Sequence, residues 1–225
     1  MTYALNTVTV ASMITGARER ADMLNTQFVT DAEIVSLIDQ SYRKLYNEVI
    51  NRFENYYVSE ATITLVSGQR DYDLPADFLK LLGVDIVSGG KNFTMQPWSL
   101  NERNRLLTGW VSRPIRYILK GGKVSFVPVA STADTITMFY VPSPAEITAG
   151  SSVEVFSGFD EFIMCDVAIM LKQKEESDCQ ILLIQKAELK QMIMETLQGR
   201  DAGFPEKMTD MARINDRAWF QFWGM

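Results

Sequence analysis

The chain has 225 residues, 47% of them hydrophobic and 22% charged, with a net charge of −6 and no histidine; it is long enough for one large domain or two small ones with a proper core. The absence of histidine removes the side chain most used for proton transfer near neutral pH and the commonest transition-metal ligand, so most familiar hydrolase and zinc-site schemes are excluded. An acidic balance also argues against tight binding of a polyanion, because affinity for phosphates comes mostly from Lys and Arg.

Taken in chain order, residues 9–23 read as a short helix ended by Asn25. Thr30 and Glu33 then form a capping-box pattern. Behind it Ile34, Leu37, Ile38, Tyr42, Leu45, Tyr46, Val49, Ile50 and Phe53 recur at three- and four-residue steps, which predicts a long helix over about 30–56. From Val58 the period changes to two, with Ala61, Ile63 and Leu65 on one face. Strands are expected at 58–66, 79–87, 92–95, 115–119, 123–127 and 135–141, punctuated by tight turns at Gly89-Gly90 and Gly121-Gly122. Residues 99–107 suggest a short helix between strands, and 148–152 a loop after Pro142 and Pro144.

Helical spacing resumes behind Ser157 and Asp160, with Phe162, Ile163, Val167, Ala168, Met170 and Leu171, and again behind Ser177 and Gln180. The last helix is expected to run to about Gln198, with Gly199 as a left-handed cap. These two helices read as an antiparallel hairpin turning near 176–178. Ile181 and Ile184 point differently from Leu182, Leu189 and Ile193, so the hairpin is expected to make contacts on two sides. Beyond Gly199 the chain ends in Trp219, Phe220, Phe222 and Trp223, after a stretch whose apolar spacing is too irregular for a core of its own. Rings of this kind bury about 150–250 Å² each and are an aggregation hazard when left exposed. They suit a groove on another subunit; the competing reading is a terminal strand or helix packed back on its own domain.

No segment approaches the roughly eighteen uninterrupted apolar residues needed to cross a bilayer, and the first basic residue is Arg18, so a soluble, intracellular protein without a secretory signal is expected. Cys165 and Cys179 lack metal-type spacing and are expected as buried reduced thiols in helical segments. Asp71, Asp73 and Asp77 group in a loop in the manner of oxygen ligands, but the calcium-loop offsets are missing, and turn or capping roles fit better. Gly89-Gly90-Lys91 and Gly121-Gly122-Lys123 lack the earlier glycine and following Ser or Thr of a phosphate loop. Arg103, Arg105, Arg113, Arg116, Lys120 and Lys123 interleave with Trp98, Trp110 and Tyr117, the one stretch with a nucleic-acid pattern, although its modest local charge makes a solvated β face or a protein contact the better reading. No base stands at recognisable spacing from a Ser or Cys nucleophile, and Glu175 with Glu176 reads as an exposed helix end.

The run from Ser67 through Gly68, Tyr72, Leu74 and Pro75 to Phe78 reads as a turn, an extended edge, and a fixed backbone before one turn of helix. Placed between an N-terminal helix and a small β region, and followed by the 116–128 hairpin and the C-terminal helix pair, it resembles the head-to-tail adaptor, or connector, proteins of short-tailed bacteriophages. The resemblance spans about 25–200 in order of elements. It implies a structural virion protein, not an enzyme, with no cofactor and no metal, assembled in the host cytoplasm. It further implies a ring of identical subunits, twelve in the family, beneath the portal protein. Such a ring extends the DNA channel, passes DNA without specific binding and meets a tail or nozzle protein. The C-terminal extension would grip the portal, giving Phe204, Ile214, Trp219, Phe220, Phe222 and Trp223 the role of anchors.

The expected fold class is α+β: a helical bundle of the long N-terminal helix and the C-terminal hairpin, an inserted small antiparallel β domain and an extended C-terminal arm. The expected divisions are 1–57, 58–150, 151–199 and 200–225. Ile163, Val167, Met170, Ile181, Ile184, Leu189 and Ile193 are the expected contacts between subunits. A packaging-associated DNA-binding module using 103–123, and a metal-dependent hydrolase built on Asp71, Asp73 and Asp77, are the competing functions.

Overall fold

The computed structural model describes residues 7–25, 28–53, 55–99, 101, 111–154 and 158–200, and within them the chain is mixed α+β. Strand β1 (Thr7–Thr9) leads into helix α1 (Val10–Ala21), whose first turn is tied by the Ser12 amide donating to the Thr9 hydroxyl. Asp22, in the left-handed region, ends α1 three residues before the expected Asn25. Helix α2 (Asp31–Arg52) opens as its capping pattern requires, with the Glu33 amide donating to the Thr30 hydroxyl at 3.3 Å. The Glu33 carboxylate completes no box; it accepts instead from Lys174 at 2.5 Å. The helix stops at Arg52, short of residue 56, because Tyr56 and Tyr57 turn away to stack on neighbouring rings.

The strands that follow are β2 (Ser59–Thr64), β3 (Asp71–Asp73), β4 (Phe78–Ser88), β5 (Lys91–Thr94), β6 (Gln96–Pro97), β7 (Val111–Ser112), β8 (Arg116–Lys120), β9 (Lys123–Val127), β10 (Val129–Ala130), β11 (Thr135–Pro142) and β12 (Ser152–Glu154). One antiparallel sheet has the order β2-β11-β4-β5, and a second has β3-β9-β8-β6. Both expected glycine turns form hairpins, β4–β5 through Gly89 and Gly90 and β8–β9 through Gly121, each of these glycines at positive φ. The β region is not wholly antiparallel, since β6 pairs with β8, and β7 with β10, in parallel. Strand β12 occupies the end of the expected 148–152 loop, drawn into extended form by antiparallel pairing with β1. The expected helix at 99–107 lies almost wholly outside the described residues.

Helices α3 (Phe159–Lys174) and α4 (Gln180–Arg200) form the C-terminal pair. Gly158, at φ +90°, is the N-cap of α3 and supplies no side-chain bond, while the expected cap Ser157 lies outside the described residues. At α4 the cap is Asp178, which accepts from the Gln180 amide at 3.0 Å; Ser177 turns instead to Glu175. Gly199 continues α4 and does not cap it.

Four helices and the β1–β12 pair share one apolar cluster that includes Met13 and Ala17, Ile34 and Ile38, Ile163 and Val167, and Ile193 and Leu197. Where α1 approaches α3, a Cβ on Gly16 would lie 2.5 Å from the Met164 sulfur, so a side chain there would have to displace the end of Met164. A second cluster joins the two four-stranded sheets through Val84, Ile86, Phe126, Ile136 and Met138. Between them lies a seam of Tyr46, Ile50 and Val141, with Leu82 and Tyr57 packed against it. There the Tyr46 hydroxyl donates to the Pro142 carbonyl at 2.5 Å, and its ring stacks on Tyr57 at 4.4 Å between centroids. Asp39 adds a polar tie, accepting from the Ile147 amide at 3.0 Å and from Arg43 at 2.7 Å. Burial raises its carboxyl, but these donors outweigh that and hold it below the ordinary carboxylate value.

The Arg18 guanidinium is buried between α1 and α2, donating to the carbonyls of Met23, Asn25 and Val29 and to the Asp31 carboxylate. One cation thus satisfies three carbonyls of the connecting turn, which would otherwise be left in an apolar setting. Arg18→Met, which keeps the stem and removes the donors, is expected to lower unfolding free energy by about 3 kcal/mol, measured by urea denaturation. Asp31→Ala, at a largely exposed carboxylate, is expected to cost under about 1 kcal/mol.

Burial pushes the Tyr46 phenol up to about 12 from 10.0, and raises that of Tyr140 as well. A raised folded value means the unfolded chain loses its proton first, so this contribution is complete below pH 10 and is lost as pH rises toward 12. Tyr46→Phe is expected to reduce the alkaline loss, followed as the denaturation midpoint across that window.

Candidate interaction surface

Helix α3 is covered on nearly every side: Phe162, Ile163, Met164, Cys165, Asp166, Val167, Ala168 and Ile169 are all buried. Its one buried charge, Asp166, accepts from Lys186 of α4 at 2.6 Å and faces Lys44 of α2 at 4.0 Å. Helix α4 is different. It buries Ile193, Met194 and Leu197 and packs Leu182 and Leu189 against the core, while Ile181 and Ile184 are 72% and 62% exposed. Leu183 and Met192 are also exposed.

The expected inter-subunit residues therefore fall into two sets. Ile163, Val167 and Ile193 lie at 0% exposure in the chain's own core, with Met170 and Leu189 half-buried. Ile181 and Ile184 lie on the outer face and are the members open to a neighbour. Two grooves flank that face. One, of about 560 Å³, runs past Arg20, Glu161, Cys165, Gln185 and Met192; the other, of about 600 Å³, runs between α4 and the end of α2 past Phe53, Ala187, Gln191 and Met194. Sequence reading missed Met192, which lies on α4 itself, and the contribution of Arg52 and Phe53, which meet α4 only through tertiary packing. The expected arm residues Phe204, Ile214, Trp219, Phe220, Phe222 and Trp223 lie outside the described residues.

The other candidates resolve into structural roles. Tyr72 closes the Ser67–Asp71 turn with its hydroxyl, which accepts from the Val66 amide at 2.8 Å and lies 3.3 Å from the Val66 carbonyl. Pro75 is followed by a single turn, with the Phe78 amide donating to the Pro75 carbonyl, and no helical turn develops before β4. Asp71 accepts from Ser125, Asp73 pairs with Lys123 at 3.4 Å, and Asp77 accepts from Tyr140 at 3.0 Å. The three aspartates thus brace three different contacts. In the basic stretch, Trp98 is buried beneath Arg70, and Arg113 stacks 3.7 Å above the Phe93 ring. Arg103, Arg105 and Trp110 lie outside the described residues. Cys165 is a free buried thiol that donates to the Leu182 carbonyl, and burial raises its titration. Cys179, also free, is only half-buried and precedes α4, so the expectation of a buried helical thiol holds for Cys165 alone. Among the described residues no helix is long and apolar enough to cross a membrane.

An apolar helix face thus lies outside a complete core, and the three loop aspartates are engaged in bracing contacts. The family model of the SU10 adaptor proteins matches residues 8–209, and the chain belongs to that family. It is thereby a phage adaptor, a structural virion protein that works with other head and tail components. No curated protein matches the chain.

The two sets of isoleucines are expected to behave oppositely. Ile193→Ala should cost about 2–5 kcal/mol by removing buried methyl groups, whereas Ile184→Glu should leave the isolated chain within about 0.5 kcal/mol of the parent. Chemical denaturation of both variants checks the difference.

Proposed function

We propose that the chain is the head-to-tail adaptor of a short-tailed phage, assembling as a ring of identical subunits, twelve in number, beneath the portal protein. The family match over 8–209 carries this reading. In it, 1–57 and 151–199 form a helical bundle that builds the ring, with Ile181 and Ile184 toward the neighbouring copy and Met170 and Leu189 behind them. The 58–150 region is inserted in that bundle and faces the tail or nozzle protein. The 200–225 extension engages the portal, with Phe204, Ile214, Trp219, Phe220, Phe222 and Trp223 as its apolar anchors.

The net charge of −6 suits a channel through which DNA moves without sticking. The rival DNA-binding reading draws on the 103–123 stretch; within it Arg113 is stacked on Phe93, and the neighbouring Trp98 is buried, so neither offers a free platform for a base. Site of action is the virion neck, reached by assembly in the host cytoplasm.

Sedimentation of the chain with portal protein tests the proposal. The full chain alone is expected to sediment as a monomer or weak associate and to form rings when portal is added. Removal of residues 200–225 is expected to abolish co-sedimentation; unimpaired co-assembly of the shortened chain refutes the anchoring role. Salt-sensitive DNA binding lost on replacing Arg113 and Arg116 would favour the rival reading.

A further inference from the structure

We propose that the outward row of α4 docks, in the neighbouring copy, on the cationic and apolar patch that Phe93, Arg113 and Ile115 form at the remote end of the β region. The proposal rests on the ring reading above and names the two surfaces that meet in it.

Ile181, Ile184, Glu188, Met192 and Glu195 step by three, four, four and three residues along α4 and make one exposed row. Its only charges are negative. The lysines of α3 and α4 all turn to carboxylates of their own chain, Lys172 to Glu175, Lys174 to Glu33, Lys186 to Asp166 and Lys190 to Glu48. No cation stands three or four residues from Glu188 or Glu195 to balance them along the helix. Two such rows set face to face would bring Glu188 and Glu195 of both copies together, so the surface that fits is one that joins apolar side chains to cations.

The β region holds a surface of that kind. Phe93 and Ile115 are 38% and 53% exposed, Arg113 stacks 3.7 Å above the Phe93 ring, and exposed Lys91 begins the same strand. The Gln96 amide, donating to the Ile115 carbonyl at 3.4 Å, holds the two segments side by side. Asp85 adjoins Ile86, the residue opposite Phe93, and alternation turns it to the other face of the sheet.

Placement favours a head-to-tail contact. On α2, Glu48 meets α4 through Lys190, while Tyr46 and Ile50, two residues to either side and so about 200° around the helix, meet the sheet. Helix α4 and the β region therefore lie on opposite sides of α2. Strand β5 pairs with Asp85–Ser88, the half of β4 away from Leu82 in that seam, which puts Phe93 far from the helices. Two unlike patches at opposite ends of one molecule join copies head to tail, the arrangement that closes into a ring. Each patch offers only a few part-exposed side chains, well below the ~800 Å² per partner of a stable pair. The contact is thus expected to hold where copies are already gathered.

Cross-linking between copies tests it. In a Cys179→Ala background, chains carrying Ile184→Cys and chains carrying Ile115→Cys are mixed, assembled with portal and treated with a short bismaleimide. A 184-to-115 product between chains is expected, reduced about fivefold by Glu188→Lys and returned to within about twofold of the parent by Glu188→Lys with Arg113→Glu. Rings that form without this product, or that link 184 to 184, overturn the contact and leave the ring reading standing. If portal gathers no ring, the ring reading fails, and the same reaction on the concentrated chain alone judges the contact: a 184-to-115 product lost in Glu188→Lys upholds it, and its absence overturns it. Equal loss in the single and the double charge variant overturns the pairing of the acidic row with the cationic patch.

Discussion

Burial of α2 on two adjacent faces is the constraint from which the rest of the molecule is organised. Ile34, Ile38, Leu45 and Val49 pack into the helical cluster, while Tyr46 and Ile50, one step around the same helix, pack against Val141 and Leu82 of the sheet. A helix used this way cannot rotate without exposing one apolar stripe or the other. The Tyr46 bond to Pro142 and the Asp39 bond to Ile147 fix its height as well as its angle, because each satisfies a specific carbonyl or amide of the chain leaving β11. The surface ion pairs Lys190 with Glu48 and Lys174 with Glu33 join α2 to α4 and α3, but exposed pairs of this kind contribute little beside the apolar contacts they fringe.

Much of this was legible in the sequence, for reasons that differ by element. The capping signal and the sustained period of Ile34 to Phe53 announced α2, and alternation in Ala61, Ile63 and Leu65 announced β2, because both signals are local. The two- and three-residue strands were not legible, since β1 and β12 are extended only through each other and stand far apart along the chain, with the whole β region and two helices between them. Capping was misread where two candidates were adjacent: Asp178 reaches the Gln180 amide while Ser177 faces backward to Glu175.

The surface was half legible. That Ile181 and Ile184 point away from Leu182 and Ile193 followed from helical geometry, and their exposure agrees with it. Ile163 and Val167 read by spacing as contacts for a neighbour, yet from Phe162 to Leu171 the only polar side chain of α3 is Asp166, the pattern of a helix at the centre of its own core. What hid this was α1, which covers α3 through Met13, Ala17 and the bare backbone at Gly16, too short a run to reveal its partner. The fully enclosed Asp166 compounded the difficulty, because its balancing Lys186 arrives from the next helix.

The sheet borders carry a consequence of their own. One sheet ends in β5, four residues long, beginning with Lys91 and exposed throughout; its other border, β2, is six residues long and presents Glu60. The second sheet ends in strands of three and two residues. Backbone ladders so brief, interrupted by charge, offer little template for strand addition from another molecule. Polymerisation through main-chain hydrogen bonding is thereby suppressed, and any contact made at these borders is left to side chains, where shape decides what fits and at what angle.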